Sequence, residues 1–175
     1  MKAKIFDDYQ INPDRYKNND IVALSPAGLQ GFYTLGISAY IKENYKLDDY
    51  LFSGASAGAW NALYMSYKGN TWDLPIQLSS IPYQNITSVR NLEEKIKEKI
   101  LESFESEDFD FERLFISVTT IKSYYLHTTI YNDFDNLEDA LDCCIASSHI
   151  PLITGGLINR YNNKISFDGG IKRYP

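Results

Sequence analysis

A serine held between two glycines, Gly54-Ala55-Ser56-Ala57-Gly58, is the stretch of this chain whose residue types and spacing suit chemistry. The pattern G-x-S-x-G sets a serine on a tight turn from strand to helix, and glycines two before and two after it leave room for a strained backbone. Tyr50-Leu51-Phe52 before the turn and Ala57, Ala59, Trp60, Ala62 and Leu63 after it supply the apolar strand and the small-residue helix that such a turn needs. A hydroxyl so placed stands over the first amides of a helix, whose free N–H groups and positive dipole end favour developing negative charge. Ser56 is therefore the candidate nucleophile, and acyl transfer is the chemistry.

A serine hydroxyl attacks poorly until a base takes its proton. The chain has two histidines. His127 falls in Tyr124-Tyr125-Leu126-His127-Thr128-Thr129, mid-strand, where a partly exposed side chain is expected. His149, between Ser148 and Ile150-Pro151, falls at a helix end, where a histidine serves the last carbonyls. Asp168 is the better candidate. A strand that ends in Asp168-Gly169-Gly170 delivers a carboxylate to the sheet edge that carries Ser56, and the glycines let the backbone turn sharply and other groups approach.

These residues need elements to position them. Ile21-Val22-Ala23-Leu24 reads as a buried strand, residues 25–31 as a tight turn, and residues 32–45 as a helix with Phe32, Leu35, Gly36, Ala39 and Tyr40 at three-to-four spacing. Residues 50–67 repeat strand, tight loop and helix. Two such units in succession predict an α/β domain with a mainly parallel sheet, helices packed on its faces, and sites beyond the carboxyl ends of the strands. Residues 68–88, with Pro75 and Pro82, read as a surface connection. Residues 91–104 form an amphipathic helix, with Leu92, Ile96, Ile100, Leu101 and Phe104 on one stripe and Glu93, Glu94, Lys95, Lys97, Glu98 and Lys99 on a solvated face. Residues 114–119 and 124–131 look like antiparallel partners. Leu137–Ser147 reads as a helix capped by Asp135 or Asn136, and Lys164–Phe167 as the last strand.

At 175 residues the chain has the size of one domain with one core. A hydrophobic share of 44% excludes a disordered chain, and a net charge of −6 argues against a nucleic-acid partner. Residues 1–20 lack the apolar run of a signal peptide, and no stretch approaches the roughly 18 apolar residues of a membrane span. The expectation is a cytoplasmic protein with a polar leader over 1–19 and a single domain over 20–175, ending just after Asp-Gly-Gly. Cys143 and Cys144, adjacent on a helix, point apart and are expected to be reduced and packed. No cysteine–histidine cluster has zinc-site spacing, so no metal and no cofactor are expected.

Four blocks in order make the chain, from about Ile21 to its end, resemble the patatin-like phospholipase domain, and within it the branch that includes adiponutrin and adipose triglyceride lipase. They are Ser25-Pro26-Ala27-Gly28-Leu29-Gln30-Gly31-Phe32-Tyr33-Thr34-Leu35-Gly36, Gly54-Ala55-Ser56-Ala57-Gly58-Ala59, Asp142-Cys143-Cys144-Ile145-Ala146-Ser147-Ser148-His149-Ile150-Pro151-Leu152 and Phe167-Asp168-Gly169-Gly170. The resemblance implies a three-layer α/β/α sandwich and a lipid acyl hydrolase of phospholipase A or acylglycerol lipase type. In it Ser56 is the nucleophile and Asp168 the base of a dyad without histidine, working through an acyl-enzyme on a glycerolipid at a membrane or lipid-droplet surface. The glycine loop supplies the oxyanion hole. Where the family shows consecutive glycines this chain has Pro26 and Ala27, and because proline has no N–H the expected donors are Ala27 and Gly28. Gly31, Gly54, Gly58, Gly169 and Gly170 are the remaining motif glycines. An acyltransferase using the same dyad, a catalytically weak lipid-binding module and a histidine-dependent esterase using His149 are the alternatives. Five residues follow Gly170, so Asp168 is expected within reach of Ser56 but rather exposed.

Overall fold

Three parallel strands form the heart of the sheet: β2 (Asp20–Leu24), β3 (Tyr50–Ala55) and β4 (Leu114–Lys122). The computed structural model describes residues 4–6, 16 and 19–172. Most of the polar leader and tail residues 173–175 lie outside the described residues. Beyond β4, strand β5 (Tyr125–Asn132) returns antiparallel after a two-residue turn, and β1 (Lys4–Phe6), drawn from the leader, pairs antiparallel with β5. A last hairpin, β6 (Asn159–Tyr161) and β7 (Lys164–Phe167), joins through β7, which pairs antiparallel with β4. Helices α1 (Gly31–Asn44), α2 (Ala57–Ser66), α3 (Asp73–Ser79), α4 (Val89–Ser103) and α5 (Leu137–Ser147) complete the elements.

Alternation along the strands decides what packs where. Phe52, Leu114, Ile116 and Val118 share one face and join the core, against which α2 and α5 are laid. Ala59, Ala62 and Leu63 bring α2 close to β3 and β4. Outside this pair, α1 packs on α2, and α4 spans α5 and α3. On the opposite face the Tyr16 ring meets Phe115 edge-on at 5.3 Å. The result is the mixed α/β architecture expected, with a parallel centre and helices packed on it. Among the described residues no helix is long and apolar enough to cross a membrane.

Several expectations need correction. Residues 68–88 are not a plain surface connection: they hold α3 and a 3-10 turn over Tyr83–Asn85, with Leu74, Leu78 and Ile81 buried. Pro75 does not prevent α3, because it lies in the first turn, where its missing N–H has no helical partner to lose. On α1, Leu35 and Ala39 pack inward, but Tyr40 is exposed. The solvated face assigned to α4 loses Glu93, which is buried at 5% exposure. Val89, Glu93, Ile96 and Ile100 follow one another at four, three and four residues, so Glu93 stands within an inward stripe. Strand β6 was not among the expected elements, although its turn has a local signal. Asn162 and Asn163, with φ of 47° and 61°, make the two-residue turn that asparagine favours.

Other details agree with expectation. Asn136 caps α5, its side chain accepting from the Asp139 N–H at 2.9 Å. Cys143 and Cys144 are buried and form no disulfide. Lys42 of α1 turns its ammonium onto the carbonyls of Tyr64, Met65 and Tyr67 at the end of α2. The helix that starts at Ser56 is thus tied at its far end as well.

Candidate active site

Ser56 sits at φ 55° and ψ −130°, a conformation that L residues rarely adopt and that turns the chain from β3 into α2. The turn is tight enough to need its glycines. A Cβ on Gly54 would stand 2.2 Å from the Gly58 carbonyl oxygen, and one on Gly58 would stand 2.0 Å from that of Leu24. The Ser56 N–H donates to Ser147 Oγ at 2.8 Å, and the Ser147 hydroxyl donates to the Ser117 carbonyl at 2.7 Å. One hydroxyl therefore fastens the turn to the end of α5 and to β4.

Asp168 reaches the same place by the ends of two strands. Along β4, strand β3 stops with Ala55 opposite Ser117, and β7 arrives from the other direction with Phe167 opposite Thr119. The two strands meet head to head on one side of β4, so the residues that follow them, Ser56 and Asp168, converge. Gly169 lies flat against this junction, where a Cβ would stand 2.1 Å from the Ser117 oxygen and 3.0 Å from the Ala55 Cβ. The Asp168 N–H donates to the His149 carbonyl at 2.7 Å and the Gly169 N–H to the Ser147 carbonyl at 2.8 Å. The carboxylate Oδ1 accepts from the Gly170 N–H at 2.8 Å. Asp168 is 6% exposed, where the short tail predicted an open position. The chain covers it from elsewhere: His149 holds its backbone, and Pro26 packs so near Gly170 that a Cβ there would stand 2.8 Å from the ring. Ser56 is equally buried, and no hydrogen bond joins its hydroxyl to Asp168 in this structure.

The loop before α1 faces this junction. Ala27 precedes Gly28, which takes φ of 52° and opens a 3-10 turn closed by the Gln30 N–H donating to the Ala27 carbonyl at 3.0 Å. The amides of Ala27 and Gly28 donate to no group among the described residues, nor does that of Ala57 at the head of α2. Gly31 stands against Ala57, within 3.0 Å of its Cβ for an added side chain. Gly28, Ser56 and Ala57 share the wall of a cavity of about 270 Å³. Its lining is apolar, from Leu35 of α1, Leu63 of α2, Leu74 and Leu78 of α3, and Ile96 and Ile100 of α4. Leu29 and Ile153, both well exposed, mark its mouth.

The histidines stand elsewhere. His127 is exposed on β5. His149 is buried and its carbonyl serves Asp168, but its Nε2 has no hydrogen-bond partner among the described residues and its ring makes no hydrogen bond to Ser56. Burial pushes the His149 pKa down, partly offset by a hydrogen bond to the Leu157 backbone.

The model of the patatin-like phospholipase family matches residues 22–173. The chain belongs to that family. A search of curated proteins found no match. Patatin-like phospholipases are lipid acyl hydrolases, so the family points to lipid hydrolysis.

Two features of this family member escaped the sequence. Ser147 lies in a run of small residues with nothing to mark it, yet its hydroxyl holds the Ser56 backbone. Ser147→Ala leaves a buried N–H and a buried carbonyl without partners, which costs about 1–3 kcal/mol of stability. Because the Ser56 turn is then held less firmly, kcat on a short-chain ester is expected to fall about tenfold or more with KM nearly unchanged, and Ser147→Thr to recover most of it. A change confined to KM would mean that Ser147 does not position Ser56 for the reaction.

Pro26, which departs from the family's glycines, is a packing residue against Gly170. If the amides of Ala27 and Gly28 serve as the oxyanion donors, Pro26→Gly adds an N–H without need and loosens the loop. Turnover is expected to stay level or to fall by up to about tenfold. A rise of about 10- to 100-fold would show instead that a donor is missing at position 26.

Proposed function

We propose that this chain is a lipid acyl hydrolase in which Ser56 and Asp168 act as a catalytic dyad on the ester bond of a glycerolipid, within one domain over residues 20–175. The observation that supports this reading is the head-to-head meeting of β3 and β7 along β4, which brings Asp168 toward Ser56, itself in the wall of an apolar cavity. Asp168 takes the proton of Ser56 Oγ as the oxygen attacks the ester carbonyl. The Ala27 and Gly28 amides receive the oxyanion, and the cavity holds the acyl chain. The leaving alkoxide takes the proton back from Asp168, leaving an acyl-enzyme. Asp168 then activates a water that releases the fatty acid.

Within the family, the resemblance of the four blocks favours the adiponutrin and adipose triglyceride lipase branch. Exposed Leu29, Tyr33, Leu152 and Ile153 near the mouth suit a membrane or lipid-droplet surface approached from the cytoplasm. The decisive experiment incubates the protein with a fluorophosphonate and with phospholipid and triacylglycerol vesicles. Label on Ser56 together with free fatty acid supports hydrolysis. Label without fatty acid, and with the acyl group on a second lipid, supports acyl transfer. No label and no product leaves a binding module.

A further inference from the structure

Among the described residues, Glu93 is the one ionisable side chain in the lining of the apolar cavity. It lies on α4 among Val89, Leu92 and Ile96, its Oε2 is sealed from solvent, and that oxygen has no hydrogen-bond partner among the described residues. Ser148 and Arg90 stand near the carboxyl, but neither supplies a hydrogen bond to Oε2. The Ser148 hydroxyl donates to the Cys144 carbonyl at 3.0 Å and accepts from Trp60 Nε1 at 3.0 Å. Arg90, one turn earlier, is bonded to Glu94 at 2.8 Å. Asn61 Oδ1, on the same cavity wall, is a second buried acceptor without a donor. A buried acceptor left unmet is costly, and a wall carrying two of them is mismatched to a plain hydrocarbon chain.

We infer that Glu93 is a specificity-determining residue and that the cavity takes acyl chains bearing a hydroxyl group, which donates its hydrogen bond to the Glu93 carboxyl. This rests on the cavity being the acyl site of the proposed hydrolase. Burial pushes the Glu93 pKa up to about 8, partly offset by Arg90 and Ser148. The charged and titratable groups facing it are Arg90 and Glu94 on its own helix, Cys144 at the end of α5 and Asp168 after β7. Near neutral pH the carboxyl is therefore protonated and accepts through its carbonyl oxygen. Above about pH 8 it ionises, becomes a stronger acceptor and repels a plain chain more.

The test uses methyl dodecanoate and the set of methyl monohydroxydodecanoates with the hydroxyl on successive carbons. Binding is read from Trp60 fluorescence in Ser56→Ala protein, which avoids turnover, with Glu93→Gln and Glu93→Leu made on that background. At least one positional isomer is expected to bind about tenfold tighter than the plain ester, the weight of one hydrogen bond to a buried group. The preference widens from pH 7 to pH 9. Glu93→Gln folds, keeps part of the preference and loses its pH dependence, and Glu93→Leu binds the plain ester better. A folded-state readout accompanies this. Because the folded pKa exceeds the ordinary carboxylate value, stability contributed by Glu93 is full below about pH 4.5 and lost as pH rises through about 8, and Glu93→Gln removes that slope. Equal or weaker binding of every isomer, or an unchanged preference in Glu93→Leu, overturns the inference. Absence of fluorophosphonate label on Ser56 would sink the hydrolase reading without touching this binding result.

Discussion

Ser56→Ala is expected to abolish fluorophosphonate labelling and to lower ester hydrolysis by about 10⁴-fold or more, the scale of removing an activated nucleophile. The fold should survive. Ser56 Oγ makes no hydrogen bond among the described residues, while the backbone N–H that holds the turn donates to Ser147 and persists in alanine. Alanine meets the same positive φ as serine, so the strain of the turn is carried over without relief or increase. Melting temperature within a few degrees of the parent, with activity gone, is the combination that identifies a nucleophile. Retained activity would remove Ser56 from the mechanism altogether.

Asp168→Asn is expected to cost about 10³-fold in kcat with little change in KM, the weight of a general base. Asparagine can keep the acceptor for the Gly170 N–H, and the Asp168 and Gly169 backbone bonds to His149 and Ser147 do not depend on the side chain. What is lost is basicity alone. The companion measurement is His149→Asn, which should stay within about tenfold of the parent, since its imidazole makes no hydrogen bond to Ser56. If the large loss moved from Asp168 to His149 in folded proteins, the base would be the histidine. Full activity of Asp168→Asn would end the dyad.

Much of the site was legible because its residues announce themselves by backbone need. Gly54 and Gly58 must be glycine where carbonyls pass at 2.0–2.2 Å from a would-be Cβ, and such needs leave a local pattern. The parallel centre was legible from two successive strand, loop and helix units. The walls of the cavity were not. Leu74 and Leu78 belong to a stretch interrupted by prolines, and a proline in the first turn of a helix looks the same in sequence as one that breaks it. Glu93 hid for a related reason: in a run of six charges among seven residues, 93–99, only the neighbouring turns decide which charge faces inward. Ser147 was invisible because a serine that bonds backbone groups 30 and 91 residues away has no local signature. The burial of Asp168 depended likewise on Pro26 and His149, distant in sequence.

The division of labour between the strand ends and the helices α3 and α4 has a bearing on how such a chain can diversify. The junction of β3, β4 and β7 that presents Ser56 and Asp168 lies in segments separate from residues 73–103, which furnish Leu74, Leu78, Leu92, Ile96 and Ile100 of the cavity wall. Those thirty or so residues form one uninterrupted cassette between α2 and β4. Drift within the cassette can re-tailor which chain is accepted without disturbing the strained turn or its anchors. If Ser56 and Asp168 carry the reaction as proposed, bond cleavage and part of chain selection lie on separate stretches, and exchanging 73–103 between relatives is expected to shift the preference while leaving the reaction in place.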